Sequence, residues 1–191
     1  MAETSGSNLD APAWRALVPV AQRGDRGARA QLYEHFASTV HAIVLAHVGA
    51  QHADDVTQDV FVTVFASLPR LRDPGAFAGF LCTAARNAAR DQLRRIRRAP
   101  KSTAPDGLVA DERAPDASLA ERELAERALA AVRELPAAYQ ETLLMRLVSG
   151  LSGSEIAERT GMTHGSVRVN LTRGMAMLRE RVAAWLPEVP Q

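Results

Sequence analysis

Four arginines of this chain recur at helical spacing, and the arginine side chain is well suited to holding phosphate groups. Spacings of four, four and three separate the members of this arginine row: Arg86, Arg90, Arg94 and Arg97. Asn87 borders the row, and Asp91 is the only acid in the segment. Like charges at these spacings repel by about 0.2–0.5 kcal/mol per pair. A polyanion along this face would relieve the repulsion, so nucleic acid is favoured over a solvated helix face.

A second stretch, residues 151–171, predicts two short helices joined by a tight turn, as in helix-turn-helix DNA-binding motifs. Ser152 or Ser154 can cap the first helix. Gly161 supplies the left-handed residue that follows it, and Thr163 can cap the second helix. The outer face of this second helix has small, polar and basic side chains: Ser166, Arg168, Val169, Thr172 and Arg173. A solvated helical hairpin is the simpler alternative, but the ordered set of residues favours base contacts in the major groove.

A third cluster is acidic and lies near the start of another predicted helix, which Asp54 or Asp55 is expected to open. Asp55 and Asp59 point away from its apolar face, with Gln58 at the edge. Three carboxylates without a companion cluster of His or Glu are a weak signal for a metal site. Composition leaves two interpretations open, a solvated acidic face and a docking surface for a basic partner.

Few other residues could support metal binding or catalysis. Four histidines lie close together in the sequence: His35, His41, His47 and His52. No two of them are four residues apart, which is the spacing typical of metal ligands on one helix. Cys82 is the only cysteine, which excludes an intramolecular disulfide and a cysteine-based zinc cluster. No glycine-rich phosphate loop or nucleophile–base pair is present. The sequence therefore predicts no enzyme, no cofactor and no metal.

Composition gives weaker information than these patterns. The 191 residues suffice for one or two small domains, and the formal net charge is only +1. Lys101 is the only lysine, so a GC-rich coding sequence explains the arginine bias and the positions of the arginines matter more than their number. Residues 1–10 do not resemble a signal peptide, and no apolar run approaches the roughly 20 residues that span a bilayer. A cytoplasmic protein without a membrane span is expected.

The helical periodicity predicts an all-α chain of two small helical domains on a flexible linker. The expected segments are a disordered N-terminus at 1–10, an N-terminal helical domain at 11–98, a proline-containing linker at 99–117 and a C-terminal helix-turn-helix domain at 118–186. The arginine row belongs to a long helix from Phe77 to about Arg98, with Ile96 expected on its buried stripe. In the C-terminal domain, Leu147 is expected to face inward.

Taken together, the order of these features resembles the extracytoplasmic-function group of bacterial sigma factors, within the sigma-70 family. The segment 54–61 looks like that family's polymerase-docking helix, 80–87 resembles its promoter-melting segment and 151–173 resembles its minus-thirty-five reader. The resemblance covers nearly everything from Trp14 to Leu186. Phe80 stands where the family usually has Trp.

The resemblance implies a sigma factor that binds core RNA polymerase and directs promoter recognition. It implies that Asp55, Gln58 and Asp59 dock on the clamp helices of the largest polymerase subunit. It implies that the arginine row and Asn87 hold the minus-ten element of promoter DNA, and that the outer face of the second reader helix contacts the minus-thirty-five element. The flap of the second-largest subunit would bind the C-terminal domain. The family also admits an anti-sigma factor as a partner.

Two other functions fit parts of the pattern. A one-component regulator would use the same reader without joining polymerase, and would bind DNA tightly alone, usually as a dimer. No spare dimerisation helix is visible in the sequence. A nuclease or a phosphatase that used Asp54, Asp55 and Asp59 would need a ligand cluster that the sequence does not provide.

Overall fold

The structure is a computed structural model that describes residues 12–98 and 119–183, with side chains from residue 123 onward in the second range. We keep the predicted names N-terminal domain and C-terminal domain for these two ranges. Every regular element within them is a helix, so the all-α prediction is confirmed. The expectations for residues 1–10 and for the linker at 99–117 lie outside the described residues.

Each domain contributes four α-helices. In the N-terminal domain they are α1 (Trp14–Gln22), α2 (Arg26–Val48), α3 (Ala50–Ser67) and α4 (Phe77–Arg98). Two short 3₁₀ turns, Leu68–Arg70 and Pro74–Ala76, connect α3 to α4. In the C-terminal domain the helices are α5 (Leu119–Arg133), α6 (Ala137–Leu147), α7 (Gly153–Thr160) and α8 (His164–Ala183).

Helix α2 is the centre of the molecule because it is buried on more than one side. Five consecutive residues, 42–46, are all buried, which a helix with a single packed face cannot achieve. On one side α2 packs against α1, α3 and α4, and on another it packs against α6 and α7 of the C-terminal domain. The two domains therefore share one continuous apolar core.

Aromatic packing fixes the start of α4. The rings of Trp14 and Phe77 both lie against Phe36 of α2, with centroid separations of 5.3 and 5.5 Å and steeply inclined planes. Edge-to-face pairs of this kind contribute about 0.5–1.5 kcal/mol beyond their buried area. Asp73 caps the turn just before α4 by accepting a hydrogen bond from the Gly75 amide at 2.8 Å. These contacts set the direction in which α4 leaves the core.

Three local expectations were wrong. Helix α3 begins at Ala50 rather than at Asp54 or Asp55, because Gly49 turns the chain with φ +80° and the next helix starts at once. Ile96 is 37% exposed, since the last buried residue of α4 is Ala89 and the helix extends past the packed core. Leu147, the last residue of α6, is 49% exposed.

Candidate functional site

The arginine row lies on the side of α4 opposite its buried face. Arg90, Arg94 and Arg97 are exposed, as is the neighbouring Asn87. Arg94 pairs with Asp91, three residues earlier. Basic residues in the last turn also interact favourably with the negative end of the helix dipole, so part of this charge stabilises the helix itself. The charge that remains faces solvent and is available to a polyanion.

The first member of the row has a different environment. Arg86 donates from Nε and Nη2 to the carboxylate of Glu141 on α6, and the shortest of these contacts is 2.7 Å. The side chain of Glu141 is 15% exposed and that of Arg86 is 32% exposed, so the pair is largely removed from water. The ring of His47 on α2 also faces this carboxylate, with Nε2 3.4 Å from Oε1. The predicted DNA-binding arginine is therefore paired across the two domains.

The ionisation of Glu141 reflects these partners. Burial alone would raise the pKa of its carboxyl group, but hydrogen bonds from His47 and Arg86 outweigh burial and hold that pKa below its usual value. The same hydrogen bond raises the pKa of Arg86, against the opposing effect of burial. The carboxylate is thus charged at neutral pH and its charge is matched by the guanidinium.

The helix-turn-helix forms as the sequence predicts. Ser152 and Glu155 make reciprocal side-chain bonds to each other's backbone amides at the start of α7, a capping box. Gly161 ends α7 in the left-handed region with φ +73°. The Thr163 hydroxyl accepts from the Ser166 amide at 3.1 Å and so caps α8. Val167 is buried, which fixes the rotation of α8 about its axis.

That rotation presents the residues predicted to contact the minus-thirty-five element to solvent. The exposed members are Ser166, Arg168, Val169, Thr172 and Arg173. Neither Arg168 nor Arg173 makes a hydrogen bond or an ion pair within the described residues. Both guanidinium groups are therefore available to a partner, whereas the Ser166 hydroxyl lies 2.8 Å from the Thr163 hydroxyl. Its mixture of hydroxyl, methyl and guanidinium groups suits contacts with base edges and phosphates.

The predicted docking residues also lie on an exposed surface. Asp55, Gln58 and Asp59 are exposed on α3. Val62, one turn beyond Asp59 on the same stripe, is 70% exposed. The neighbouring Asp54 instead faces His41, with a carboxylate oxygen 3.2 Å from the ring nitrogen. The surface thus combines an exposed apolar side chain with two carboxylates that form no ion pair among the described residues, a composition that suits a protein partner.

Three histidines of α2 face carboxylates. Besides His41 and His47, His35 on α2 lies with Nε2 3.6 Å from Glu158 on α7, beyond hydrogen-bond distance. Burial and then the charge of Arg159 lower the pKa of His35. Within residues 12–98 and 123–183, no group of three or more potential ligands is arranged to hold a metal ion. No helix there is long and apolar enough to cross a membrane.

Sequence reasoning missed the residues that join the domains. The Ser149 hydroxyl donates to the Ser38 carbonyl at 3.1 Å, and Arg159 Nη1 lies 3.3 Å from the Ser38 hydroxyl. The Cys82 thiol lies 3.6 Å from the carbonyl of Arg159. Ser38 and Ser149 lie outside the segments singled out above, and the motifs that contain Cys82 and Arg159 do not mark either residue as a contact between the domains. An open pocket of about 630 Å³ lies between the domains, with Gln58 and Val148 on its walls.

Two family models match the chain. The model described as sigma-70 region 2 matches residues 32–99, and the model described as sigma-70 region 4 matches residues 125–178. The first match includes the docking residues and the arginine row. The second includes the helix-turn-helix. Each surface described above thus lies within a matched region.

Curated relatives match along most of the chain. The extracytoplasmic-function (ECF) RNA polymerase sigma factor SigD of Mycobacterium tuberculosis is 34% identical, over 94% of this chain and 86% of SigD. The ECF RNA polymerase sigma factor ShbA of Streptomyces griseus is 33% identical, over 86% of this chain and 92% of ShbA.

Two solved structures share the fold. CnrH, in complex with the cytosolic domain of CnrY, aligns with a TM-score of 0.61 and 23% identity, over 92% of this chain and all of CnrH. The sigma factor RpoE of Bartonella quintana, in complex with the anti-sigma factor NepR, aligns with a TM-score of 0.51 and 16% identity, over 82% of this chain and 98% of RpoE.

Proposed function

Because this chain belongs to the extracytoplasmic-function group of the sigma-70 family, we propose a division of labour among its three exposed surfaces. The chain is a sigma factor that binds core RNA polymerase and directs promoter-specific initiation of transcription. In the proposal, α3 docks on polymerase, α4 binds the minus-ten element and α8 reads the minus-thirty-five element. The observation that carries the proposal is the outward face of α8, which exposes all five residues predicted to contact the minus-thirty-five element, opposite the buried Val167.

At the minus-thirty-five element, different residues of α8 read the bases and hold the DNA backbone. Ser166, Arg168, Val169 and Thr172 face the bases, and the methyl groups of Val169 suit contact with a thymine methyl. Arg173 lies one turn further along α8 and holds a phosphate, which fixes register without reading sequence.

At the minus-ten element, Arg86, Asn87, Arg90, Arg94 and Arg97 hold the DNA along α4. The loop between Arg70 and Phe77, which contains the second 3₁₀ turn, helps to capture an extruded base. Extruding a base costs a few kcal/mol, so both the loop and the backbone contacts from the arginine row are needed to offset it. The 22-residue length of α4 supports this role, because its last turns extend beyond the core and can follow a strand.

On the polymerase side, Asp55, Gln58 and Asp59 dock on the basic clamp helices of the largest subunit. Charge complementarity speeds encounter and fixes register, while the exposed Val62 supplies apolar contact beside the carboxylates. The flap of the second-largest subunit is the proposed partner of the C-terminal domain. We also propose an anti-sigma factor as a partner, since RpoE, which shares this fold, was solved with one.

Run-off transcription tests the proposal. Purified core polymerase is incubated with a genomic fragment library, with and without this chain. We expect discrete transcripts that appear only when the chain is present and that share two conserved upstream elements. Identical transcripts in both reactions would contradict the proposal. A one-component regulator is not favoured by the family match, and it would leave these start sites unchanged.

A further inference from the structure

We propose that Asn170 is a positioning residue for promoter recognition, which holds α8 on α6 in the orientation that lets α8 read bases. Its side-chain Nδ2 donates a hydrogen bond to the backbone carbonyl of Ala138, in the first turn of α6, at 2.9 Å. The inference rests on the proposed role of α8 at the minus-thirty-five element and names a residue on which that role depends. Asn170 itself contacts no base and acts through the residues that do.

Asn170 lies at the border between the buried face and the exposed face of α8. At 100° per residue it stands about 60° from the buried Val167 and about 60° from the exposed Arg173. Its side chain is half-buried, and its amide group is bonded to α6. A side chain at this border can orient the exposed face without belonging to it.

An asparagine at this place in a helix needs a reason. Asparagine is less favourable than leucine or alanine inside a helix, because its short polar side chain competes for backbone hydrogen bonds. Asn170 is the seventh of the 20 residues of α8, so it is too far from either end to act as a cap. The bond to Ala138 supplies the partner that its amide group would otherwise lack.

The apolar contact between α8 and α6 does not fix the orientation alone. One turn after Asn170, Gly174 brings the two helices so close that an added Cβ would lie 2.9 Å from Leu143. Glycine has no side chain to interlock with the facing helix, so this contact is close but smooth. Val167 determines which face of α8 is buried. The hydrogen bond of Asn170 is directional, and it narrows the rotation and sliding that remain.

Small rotations of α8 matter at the edges of bases. Side chains reach about 5–6 Å from a helix axis, so a rotation of about 10° moves their ends by about 1 Å. Hydrogen bonds require donor–acceptor distances of about 2.7–3.2 Å, and a displacement of this size breaks them. Contacts with phosphates carry no sequence information directly. Loss of the Asn170 bond should therefore reduce discrimination between bases more than it reduces total affinity for DNA.

The test measures equilibrium binding of core polymerase with the full-length chain to single-base variants of the minus-thirty-five element, on a promoter recovered by run-off transcription. Asn170→Leu keeps the branched shape of the side chain and removes its donor. It is expected to reduce the preference for the best base by about fivefold or more at the positions that α8 reads. Denaturant unfolding checks that the variant is folded. Asn170→Ala is the second variant if the leucine does not pack.

Gln140 provides a matched control, because its amide makes the same kind of bond away from α8. Its Nε2 donates to the carbonyls of Arg133 and Leu135, at 2.8 and 2.6 Å, where α5 turns into α6. Gln140→Ala is expected to lower the free energy of unfolding and to leave the base preferences unchanged. Unchanged preferences in both Asn170 variants, or an equal loss of preference in Gln140→Ala, would overturn the positioning role.

A double variant separates positioning from direct reading. If Asn170 acts through Arg168, adding Asn170→Leu to Arg168→Ala should cause no further loss of preference at the base that Arg168 reads. A full further loss at that base would overturn the positioning role. So would a change confined to a single different base, because it would show that Asn170 reads DNA directly.

Arg168→Ala in the same assay distinguishes failure of this inference from failure of the proposed function. If the unmodified chain shows no preference among the promoter variants, the proposed reading function of α8 fails. If its preference depends on Arg168 and not on Asn170, the positioning role alone fails.

Discussion

Helices α4 and α8 are the two proposed DNA-binding helices, and they differ in what their exposed faces meet. The face of α8 presents Arg168 and Arg173 without a partner in the described residues. On α4, Arg86 is bonded to Glu141 and Arg94 to Asp91. Similar chemistry on a helix surface therefore does not imply equal availability. The base-reading helix α8 is accessible, whereas the first arginine of the helix proposed to hold the minus-ten element is paired with Glu141.

The largest effect is expected at α3, because both DNA-binding helices act on one promoter only while polymerase holds them. Reversing two charges, Asp55→Arg with Asp59→Arg, places like charges against the basic clamp helices and should abolish binding to core polymerase. A pull-down measures this directly. The control reverses two exposed acids of α5, Glu123→Arg with Glu126→Arg. Unchanged binding of the α3 variant would remove the docking assignment.

The next prediction concerns α8 and distinguishes a residue that reads bases from a residue that holds a phosphate. Arg168→Ala should alter preference at one or two positions of the minus-thirty-five element by ~1–3 kcal/mol. Arg173→Ala should weaken binding about equally on every promoter variant. It should also reduce the slope of the logarithm of the binding constant against the logarithm of the salt concentration by about one. Binding titrations against a set of single-base variants give both quantities. An equal loss on all variants for Arg168→Ala would count against its base-reading role.

A smaller effect compares the packing of the same two helices. Gly174 of α8 is buried, and an added Cβ would lie 2.9 Å from Leu143 and 3.1 Å from Tyr139. Gly174→Ala should therefore lower the free energy of unfolding by about 1–2 kcal/mol, since overpacking outweighs the gain in helix propensity. In the matched change on α4, Gly79→Ala, the added Cβ meets no atom within 4 Å, so this variant should raise the free energy of unfolding by about 0.5–1 kcal/mol. Denaturant unfolding measures both, and equal shifts would show that the α6–α8 contact is looser than described.

The smallest effect is a pH dependence of the ion pair between Arg86 and Glu141. Because the pKa of Glu141 is held below its usual value of 4.5, its stabilising contribution is present at neutral pH and is lost as pH falls through the lowered pKa. The stability difference between the unmodified chain and Glu141→Gln should accordingly shrink below pH 4.5. Denaturant unfolding of both proteins at several pH values between 7 and 3 measures this stability difference. A difference that stays constant over this range would show that the carboxylate is not charged in the folded chain.

Much of this architecture could be predicted because its signals are local. The capping residues Ser152 and Thr163, the left-handed Gly161 and the bounds of α4 depend on neighbours a few positions away in the sequence. The outward face of α8 follows in turn from the helical period and the buried Val167. These features set the geometry of the proposed reading surface.

The pairing of Arg86 with Glu141 could not be predicted in this way. The two residues are 55 positions apart, and their contact depends on how one domain packs against the other. One signal was present in the sequence. The run at 42–46 is apolar at every position, and within a helix it indicates a second buried face. That run predicts a partner for α2, but not which side chains of the partner meet the arginine row.

The most direct test of the account is the spacing between the two promoter elements. On a promoter recovered by run-off transcription, inserting about five base pairs between them rotates one element by half a turn of the double helix relative to the other. If α4 and α8 hold both elements together on one polymerase, transcription that depends on this chain should be lost and should recover when the original spacing is restored. Undiminished transcription from the inserted promoter would contradict the account.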